Sequence, residues 1–193
     1  MSMEQIQKLR QETGAGIMDV KNAITEADGD EEKAREILRK KGAALAAKKG
    51  ARETHEGLVV SYIHAGGKIG VLLKLYCETD FVARTEDFHA LADDLAMHIA
   101  AMDPEYISVE NIPEDVIETE KRIYKEQFAD SDKPEDVIEK IIDGKVEKFA
   151  SEVCLLGQSF VKNPDKKIGD IIQEYIAKLG ENIQVGGFAR YEL

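Results

Sequence analysis

The chain has 193 residues, of which 43% are hydrophobic and 33% are charged, and its formal net charge is −12. These proportions are typical of a globular protein with many exposed helix faces, and no apolar run approaches the roughly 18 residues of a membrane span. An acidic surface repels phosphate backbones, so nucleic-acid binding is not expected unless the basic segment 33–52 acts alone. The composition therefore argues against both a membrane protein and a nucleic-acid-binding protein.

The two cysteines of the chain provide no disulfide framework, which favours a reducing compartment. The first residues, MSMEQIQKLRQE, are polar and include acids, unlike a secretory signal or an organelle transit peptide. Together these features predict a cytoplasmic protein.

The N-terminal region has apolar residues at helical spacing, which predict one helix over 3–12 and a second over 17–27. A glycine break, TGAG, separates the two. Asp30 is a suitable N-cap for a third helix. The three elements predict a small helical domain over residues 1–52, which is too small to contain a large core.

The pattern then changes to that of β-strands. Residues 57–65 alternate in polarity and are rich in β-branched and aromatic side chains. Gly66-Gly67 predicts a hairpin turn, after which residues 69–76 return as a second strand. The segment 183–193 alternates in the same way and predicts a third strand.

Helices are predicted between the second and third strands, over residues 84–102, 113–129, 134–153 and 168–179. Pro113 and Pro134 each stand near the start of one of them, where a missing N–H costs little. Strands and helices in this uneven order predict an α+β core domain over residues 53–193.

No arrangement of residues predicts a metal site, a cofactor site or covalent catalysis. The four histidines show no known ligand spacing, and His98 lies among apolar residues of a predicted helix, where a structural role is expected. The segments TGAG and GGKIG lie between helices and in a hairpin, so neither has the context of a phosphate-binding loop. Cys77 lies near Asp80, but a buried strand cysteine is commoner than a nucleophile.

Two segments are candidates for binding a partner. Ile17 and Met18 are adjacent apolar residues after the TGAG break, so either one of them is an exposed anchor or both cap a tiny core. The segment CETDFVAR joins a strand to a helix and places Phe81 directly after Asp80. The ring of Phe81 either packs back on the following helix or projects toward a partner.

Two motifs resemble the signatures of a known family. The segment LRQETGAGIMDVK, residues 9–21, resembles the N-terminal signature of translation elongation factor Ts, and TDFVA, residues 79–83, resembles its second signature. The segments AMHIAAMDPEYI, GQSFVKNPDKKIGDII and IQVGGFARYEL resemble later core segments of that family. The resemblance covers nearly the whole chain, and two signatures at the expected spacing are highly specific.

The resemblance implies a guanine-nucleotide exchange factor that binds elongation factor Tu and promotes GDP release without covalent chemistry. It implies a three-helix N-terminal domain of ubiquitin-associated type and an α+β core with a three-stranded antiparallel sheet. The residues implied to dock on the nucleotide domain of the partner are Leu9, Arg10, Thr13, Met18 and Asp19. Those implied to wedge in near the magnesium ion of the nucleotide are Thr79, Asp80, Phe81 and Val82.

The resemblance also bears on assembly. Short members of the family resemble this chain and form homodimers with their core sheets packed together, so a homodimer through the sheet is predicted. Some short members link their dimer through a cysteine in the last strand; Ala189 occupies that neighbourhood here, and no disulfide-linked dimer is predicted.

Two other classes of function stay open on the sequence alone. A helical adaptor would bind a peptide or a ubiquitin-like module through residues 13–20, and Phe81 would then be irrelevant. A thiol enzyme built on Cys77 would need a reactive cysteine with a lowered pKa.

Overall fold

The computed structural model describes residues 2–128 and 134–193. Within them the chain forms an α+β fold with a three-stranded antiparallel sheet, as predicted. The helices are α1 Met3–Thr13, α2 Ile17–Glu26, α3 Glu31–Lys49, α4 Asp80–Ala83, α5 Glu86–Met102, α6 Glu114–Glu126, α7 Glu135–Val153 and α8 Ile168–Leu179. The strands are β1 Glu56–Ile63, β2 Ile69–Cys77, β3 Ser159–Phe160, β4 Asn163–Lys167 and β5 Gln184–Glu192.

The chain divides into two compact units. The first comprises residues 1–100 and 170–193, and it contains the three N-terminal helices and the three-stranded sheet. The second comprises residues 101–169. A separate docking domain over 1–52 and a core domain over 53–193 stay a prediction of the sequence.

Local capping interactions fix the ends of the N-terminal helices. Ser2 and Gln5 form a capping box at the start of α1, each side chain accepting a hydrogen bond from the backbone of the other. The helix ends at Gly14, whose φ of 66° places it in the left-handed region and whose N–H donates to the carbonyl of Arg10. Asp30 caps α3, as predicted, by accepting from two backbone N–H groups of the first turn.

Helices α1 to α3 surround a small apolar core. Its buried members are Ile6, Leu9, Val20, Ala23, Ile24, Ala27, Ala34 and Leu38. Three of the eight are alanines, so few large side chains are removed from water, and each of those contributes about 1.5–3 kcal/mol. The helical region is therefore only modestly stabilised by its own core.

The larger sheet has the strand order β1-β2-β5, with β2 in the centre and both pairings antiparallel. The positions of β2 that point to one side are buried: Val71, Leu73, Leu75 and Cys77. The opposite side of the sheet carries exposed apolar side chains, among them Val59, Leu72 and Tyr191. An antiparallel sheet with one solvated face normally has polar residues there, so exposed apolar side chains on this face are unusual.

The second unit contains the packed pair α6 and α7 and a small hairpin formed by β3 and β4. Pro113 and Pro134 are the N-cap residues of the two helices. Residue 129, which the sequence predicts as the last of the α6 segment, lies outside the described residues. The β3–β4 hairpin is not predicted by the sequence, because its second strand, NPDKK, is polar and contains a proline.

Candidate partner-binding site

The segment after β2 forms a single helical turn, α4, at the junction between the strand and α5. Thr79 is its N-cap, and the hydroxyl of Thr79 accepts a hydrogen bond from the N–H of Val82 at 3.4 Å. Val82 is half-buried and Ala83 is buried, so this side of the turn faces the protein. Residues Thr79–Val82 are called the wedge segment below.

Phe81 points away from the protein, and its side chain is 79% exposed. Of the two orientations that the sequence left open, the ring packing back on α5 is therefore not the one observed. A single exposed apolar side chain is common on protein surfaces. Here, however, the ring lies on a capped turn next to buried residues, where the fold gains little from it and a partner can reach it.

Asp80 is next to Phe81 and forms an ion pair with Arg84, with 2.8 Å between Oδ2 and Nη2. The two residues are one helical turn apart, and such surface pairs contribute about 0–1 kcal/mol to stability. This contact directs the carboxylate along the turn.

Glu181, in the loop between α8 and β5, contacts the start of the wedge segment. Its Oε2 accepts hydrogen bonds from the N–H groups of Glu78 at 3.1 Å and Thr79 at 3.0 Å. Its Oε1 accepts the hydroxyl of Thr79 at 2.6 Å. Both carboxylate oxygens are thus used to hold two backbone N–H groups and one side chain at the base of α4.

The turn between α1 and α2 forms the other predicted surface. The hydroxyl of Thr13 donates to the carbonyl of Leu9 at 2.6 Å and accepts from the N–H of Ala15 at 3.3 Å. Gly14 packs against Lys178 of α8, because a Cβ at this glycine would lie 2.9 Å from Cγ of that lysine. The turn therefore has a defined shape that larger residues would disturb.

Ile17 and Met18 are both exposed, and the side chain of Met18 is 64% exposed. This differs from both alternatives drawn from the sequence, in which at least one of the two contacts the core. The core contact of α2 is made by Val20 and Ile24 instead. Ala15, just before α2, also packs against this core, so the first turn of α2 lies beside the core with Ile17 and Met18 on its solvent side.

The five residues implied for docking are not equivalent in the structure. Arg10, Met18 and Asp19 are exposed and Thr13 is half-buried, whereas the side chain of Leu9 is 0% exposed in the core of the three helices. Leu9 therefore cannot contact a partner in this structure. It packs in the core beneath the exposed residues of the signature. The other four residues are called the docking surface below.

Cys77 lies beneath the wedge segment, where its thiol donates to the carbonyl of Thr79 at 3.2 Å. Burial, with a further contribution from the Glu181 carboxylate, raises the pKa of the Cys77 thiol to about 11. A raised pKa leaves less thiolate at neutral pH, and the thiolate is the nucleophile. These properties are the opposite of those that a thiol enzyme needs.

We expect both cysteines to resist alkylation in the native protein at pH 8, because both are buried and burial raises the pKa of both thiols. A free thiol with a pKa of about 8.5 reacts readily under the same conditions. Iodoacetamide labelling with and without urea, followed by mass spectrometry, measures this. Fast labelling of Cys77 at pH 6 without urea would contradict the prediction and revive the thiol-enzyme hypothesis.

Across residues 2–128 and 134–193, no group of three or more His, Cys, Asp or Glu side chains has an arrangement that could hold a metal ion. In the same part of the chain, no helix combines the length and the apolar character needed to cross a bilayer.

The sequence model of the family described as "Elongation factor TS" matches residues 3–193. The chain belongs to the elongation factor Ts family. It is 59% identical to an elongation factor Ts of Fervidobacterium nodosum over 193 residues, which are 100% of this chain and 98% of that relative. It is 56% identical to one of Thermotoga neapolitana, with 100% and 97% of the two chains covered. For one of Carboxydothermus hydrogenoformans the identity is 52%, with 100% and 89% covered.

Membership of the elongation factor Ts family confirms the resemblance drawn from the two signatures and identifies a translation elongation factor. Sequence reasoning missed Glu181 at the wedge segment of this factor. Its contacts lie 102 and 103 residues away along the chain, so no local pattern reveals them. The only local signal is the sequence Gly180-Glu181-Asn182, which resembles an ordinary helix end.

Proposed function

We propose that this chain binds elongation factor Tu in its GDP-bound form and promotes release of GDP, acting as a guanine-nucleotide exchange factor. The observation that supports this best is the exposed ring of Phe81 on a capped turn that is held at its base. No step requires covalent chemistry or a cofactor of the chain itself.

Exchange would proceed by displacement. The docking surface contacts the nucleotide domain of the partner, and the ring of Phe81 inserts between elements near the bound nucleotide. GDP is held partly through Mg²⁺, which requires near-ideal octahedral geometry, so a small shift of its ligands weakens GDP binding. Asp80 is paired with Arg84, so we assign it to positioning the turn and not to binding the metal ion.

Linkage then determines how the cycle ends. If the bound chain lowers the affinity of elongation factor Tu for GDP, then bound GDP lowers its affinity for the chain by the same ratio. GTP binding opposes the complex in the same way, so GTP displaces the exchange factor and leaves elongation factor Tu loaded. The chain is therefore released unchanged.

The experiment that tests this proposal is release of a fluorescent GDP analogue from elongation factor Tu, followed with and without the chain. Acceleration that saturates with concentration supports exchange activity. If release is not accelerated although the chain binds the partner, the proposal fails. The adaptor alternative through residues 13–20, which the exposed side chains of Ile17 and Met18 also fit, would then be favoured.

We further propose a homodimer in which the apolar face of the sheet packs on a second copy. Val59 is 70% exposed and Tyr191 is 74% exposed on this face. A groove of about 400 Å³ lies at the end of this face next to the β1–β2 turn and is lined by Ile63, Leu72 and Leu193, among others. Exposed apolar side chains grouped on one sheet face in this way are typical of a protein interface.

Replacing Leu72 by glutamate is expected to dissociate the dimer, because a charge in the centre of the face loses its hydration without a partner. Light scattering coupled to gel filtration should give twice the chain mass of 21.5 kDa for the parent and a single mass for the variant. Val109→Glu, an exposed apolar position in the second unit, is the matched control and should stay dimeric. A monomeric parent would rule out the dimer.

We propose that the chain acts in the cytoplasm, because translation elongation takes place there. We expect neither a nucleic acid nor a membrane as a direct partner, because the net charge of −12 repels phosphates and anionic headgroups.

A further inference from the structure

The wedge segment is too short to hold its own shape. Helix α4 has four residues, and a single helical turn in isolation is unstable because its nucleation is unfavourable. An exposed aromatic ring on such a turn would sample many directions unless other parts of the chain held the turn. The contacts at the base of α4 therefore decide how the ring of Phe81 is presented.

Glu181 contributes the contacts that set the start of this turn. Since the hydroxyl proton of Thr79 is donated to Oε1 of Glu181, the lone pairs of the hydroxyl are left to accept from the N–H of Val82. The same carboxylate holds the N–H groups of Glu78 and Thr79. It thus fixes both the peptide that leads into α4 and the rotamer of the residue that caps it.

A second set of contacts holds the loop that carries Glu181. The side chain of Glu78 accepts from the N–H of Asn182 at 2.6 Å, so the loop and the residues that lead into α4 donate hydrogen bonds to each other. This bond, with a smaller contribution from Arg52, lowers the pKa of the Glu78 carboxyl against the opposing effect of burial. Glu78 is therefore ionised at neutral pH and remains a strong acceptor.

The loop is also attached to the end of α3. The side chain of Asn182 is buried, and its Nδ2 donates to the carbonyl of Arg52 at 2.8 Å and of Gly50 at 3.4 Å. Lys49, the last residue of α3, donates from Nζ to the carbonyl of Gly180. One loop thus connects the end of the N-terminal helical region to the base of the wedge segment.

We infer that Glu181 is a positioning residue for Phe81, and that it fixes the direction of the ring before the partner binds. The inference rests on the proposed exchange function, since it states how the chain presents the residue that acts there. Holding the turn in advance removes the entropy loss of ordering it on the partner. The alternative is that Glu181 only stabilises the fold.

The variant Glu181→Gln separates these two roles. If the amide oxygen stays on the two backbone N–H groups, the amide nitrogen donates to the hydroxyl of Thr79, which must turn its proton away and share its lone pairs with the N–H of Val82. In the other orientation the amide nitrogen faces the two backbone N–H groups as an unfavourable donor. In both orientations the charge that strengthens these hydrogen bonds is lost. Glu139→Gln is the matched control, because it removes the same charge from an exposed position in the second unit. Hydrogen bonds to a charged group are strong, so weakening them is expected to change the rates of amide exchange and of GDP release by about tenfold or more.

The first measurement uses the free chain and needs no partner. Amide hydrogen exchange of Glu78, Thr79 and Val82 should become about tenfold faster in Glu181→Gln and stay unchanged in Glu139→Gln. Protection of Leu73 in the central strand should stay as in the parent, which shows that the loss is local. Unchanged protection of the Glu78, Thr79 and Val82 amides, or an equal loss of protection throughout the sheet, would overturn the inference.

The second measurement is GDP release from elongation factor Tu. Glu181→Gln should lower the maximal release rate about tenfold, with little change in the concentration that gives half of it. In a Phe81→Ala background the same substitution should have almost no effect, because the residue to be positioned is absent. An equal effect in both backgrounds would show a structural role only. A parent that does not release GDP would contradict the proposed function, whereas the hydrogen-exchange result would still decide the positioning role.

Discussion

Replacing Phe81 by alanine is expected to lower the maximal rate of GDP release from elongation factor Tu by about 10²-fold or more, with a far smaller loss in binding. Truncating a phenylalanine in a protein core costs about 3–5 kcal/mol, and a ring packed as tightly in the partner would lose a factor of this size. If the ring is buried only in the state in which the groups around the nucleotide are displaced, this loss appears in the rate of release. The ring is 79% exposed in the free chain, so folding does not depend on it.

This expectation has two controls. The free energy of unfolding of Phe81→Ala, measured in urea, should match that of the parent within about 0.5 kcal/mol, which is usual for exposed positions. Val109→Ala, at an exposed apolar position in the second unit, should release GDP at the parent rate. If Phe81→Ala releases GDP as fast as the parent, the wedge hypothesis is wrong even if the chain is an exchange factor. A proportional loss of binding and rate would instead assign the ring to docking.

Much of the fold could be predicted from the sequence because local chemistry determines where its elements end. Asp30 caps α3, and Gly180 has a φ of 79° at the end of α8, which spans the predicted residues 168–179. The strands of the larger sheet were predicted to within two residues, since polarity alternates along β1 and β5 and β2 is a mostly apolar run that follows a hairpin turn. The sequence did not predict α4, which has four residues and is too short for a periodic pattern to show, or the β3–β4 hairpin, whose second strand is polar and contains a proline.

The candidate site was predictable only in part. The two signatures locate both segments, but periodicity cannot decide whether the ring of Phe81 packs inward or projects outward, because both arrangements have the same sequence. The docking signature likewise combines Leu9, which is buried, with Met18, which is exposed. The contacts of Glu181 join distant parts of the chain, and such pairings appear only once the strands are assembled.

The contrast within the docking signature leads to a paired prediction. Leu9→Ala should lower the free energy of unfolding of the helical region by about 2–5 kcal/mol, because it leaves a cavity at a position that is 0% exposed. Met18→Ala removes a similar volume from the surface and should change stability by no more than about 0.5 kcal/mol. Urea unfolding and amide hydrogen exchange in α1 and α2 measure both effects.

The effects of the two substitutions on binding to the partner should have the opposite order, with the larger effect from Met18→Ala. Met18→Ala should weaken binding to nucleotide-free elongation factor Tu by about tenfold or more, as expected for an apolar anchor in an interface. Met3→Ala is the matched control, since Met3 is 69% exposed against 64% for Met18 and lies outside the signature. If Met18→Ala binds as tightly as Met3→Ala, the docking surface is elsewhere. If Leu9→Ala keeps its stability but loses binding, Leu9 contacts the partner after all and the helices must open to expose it.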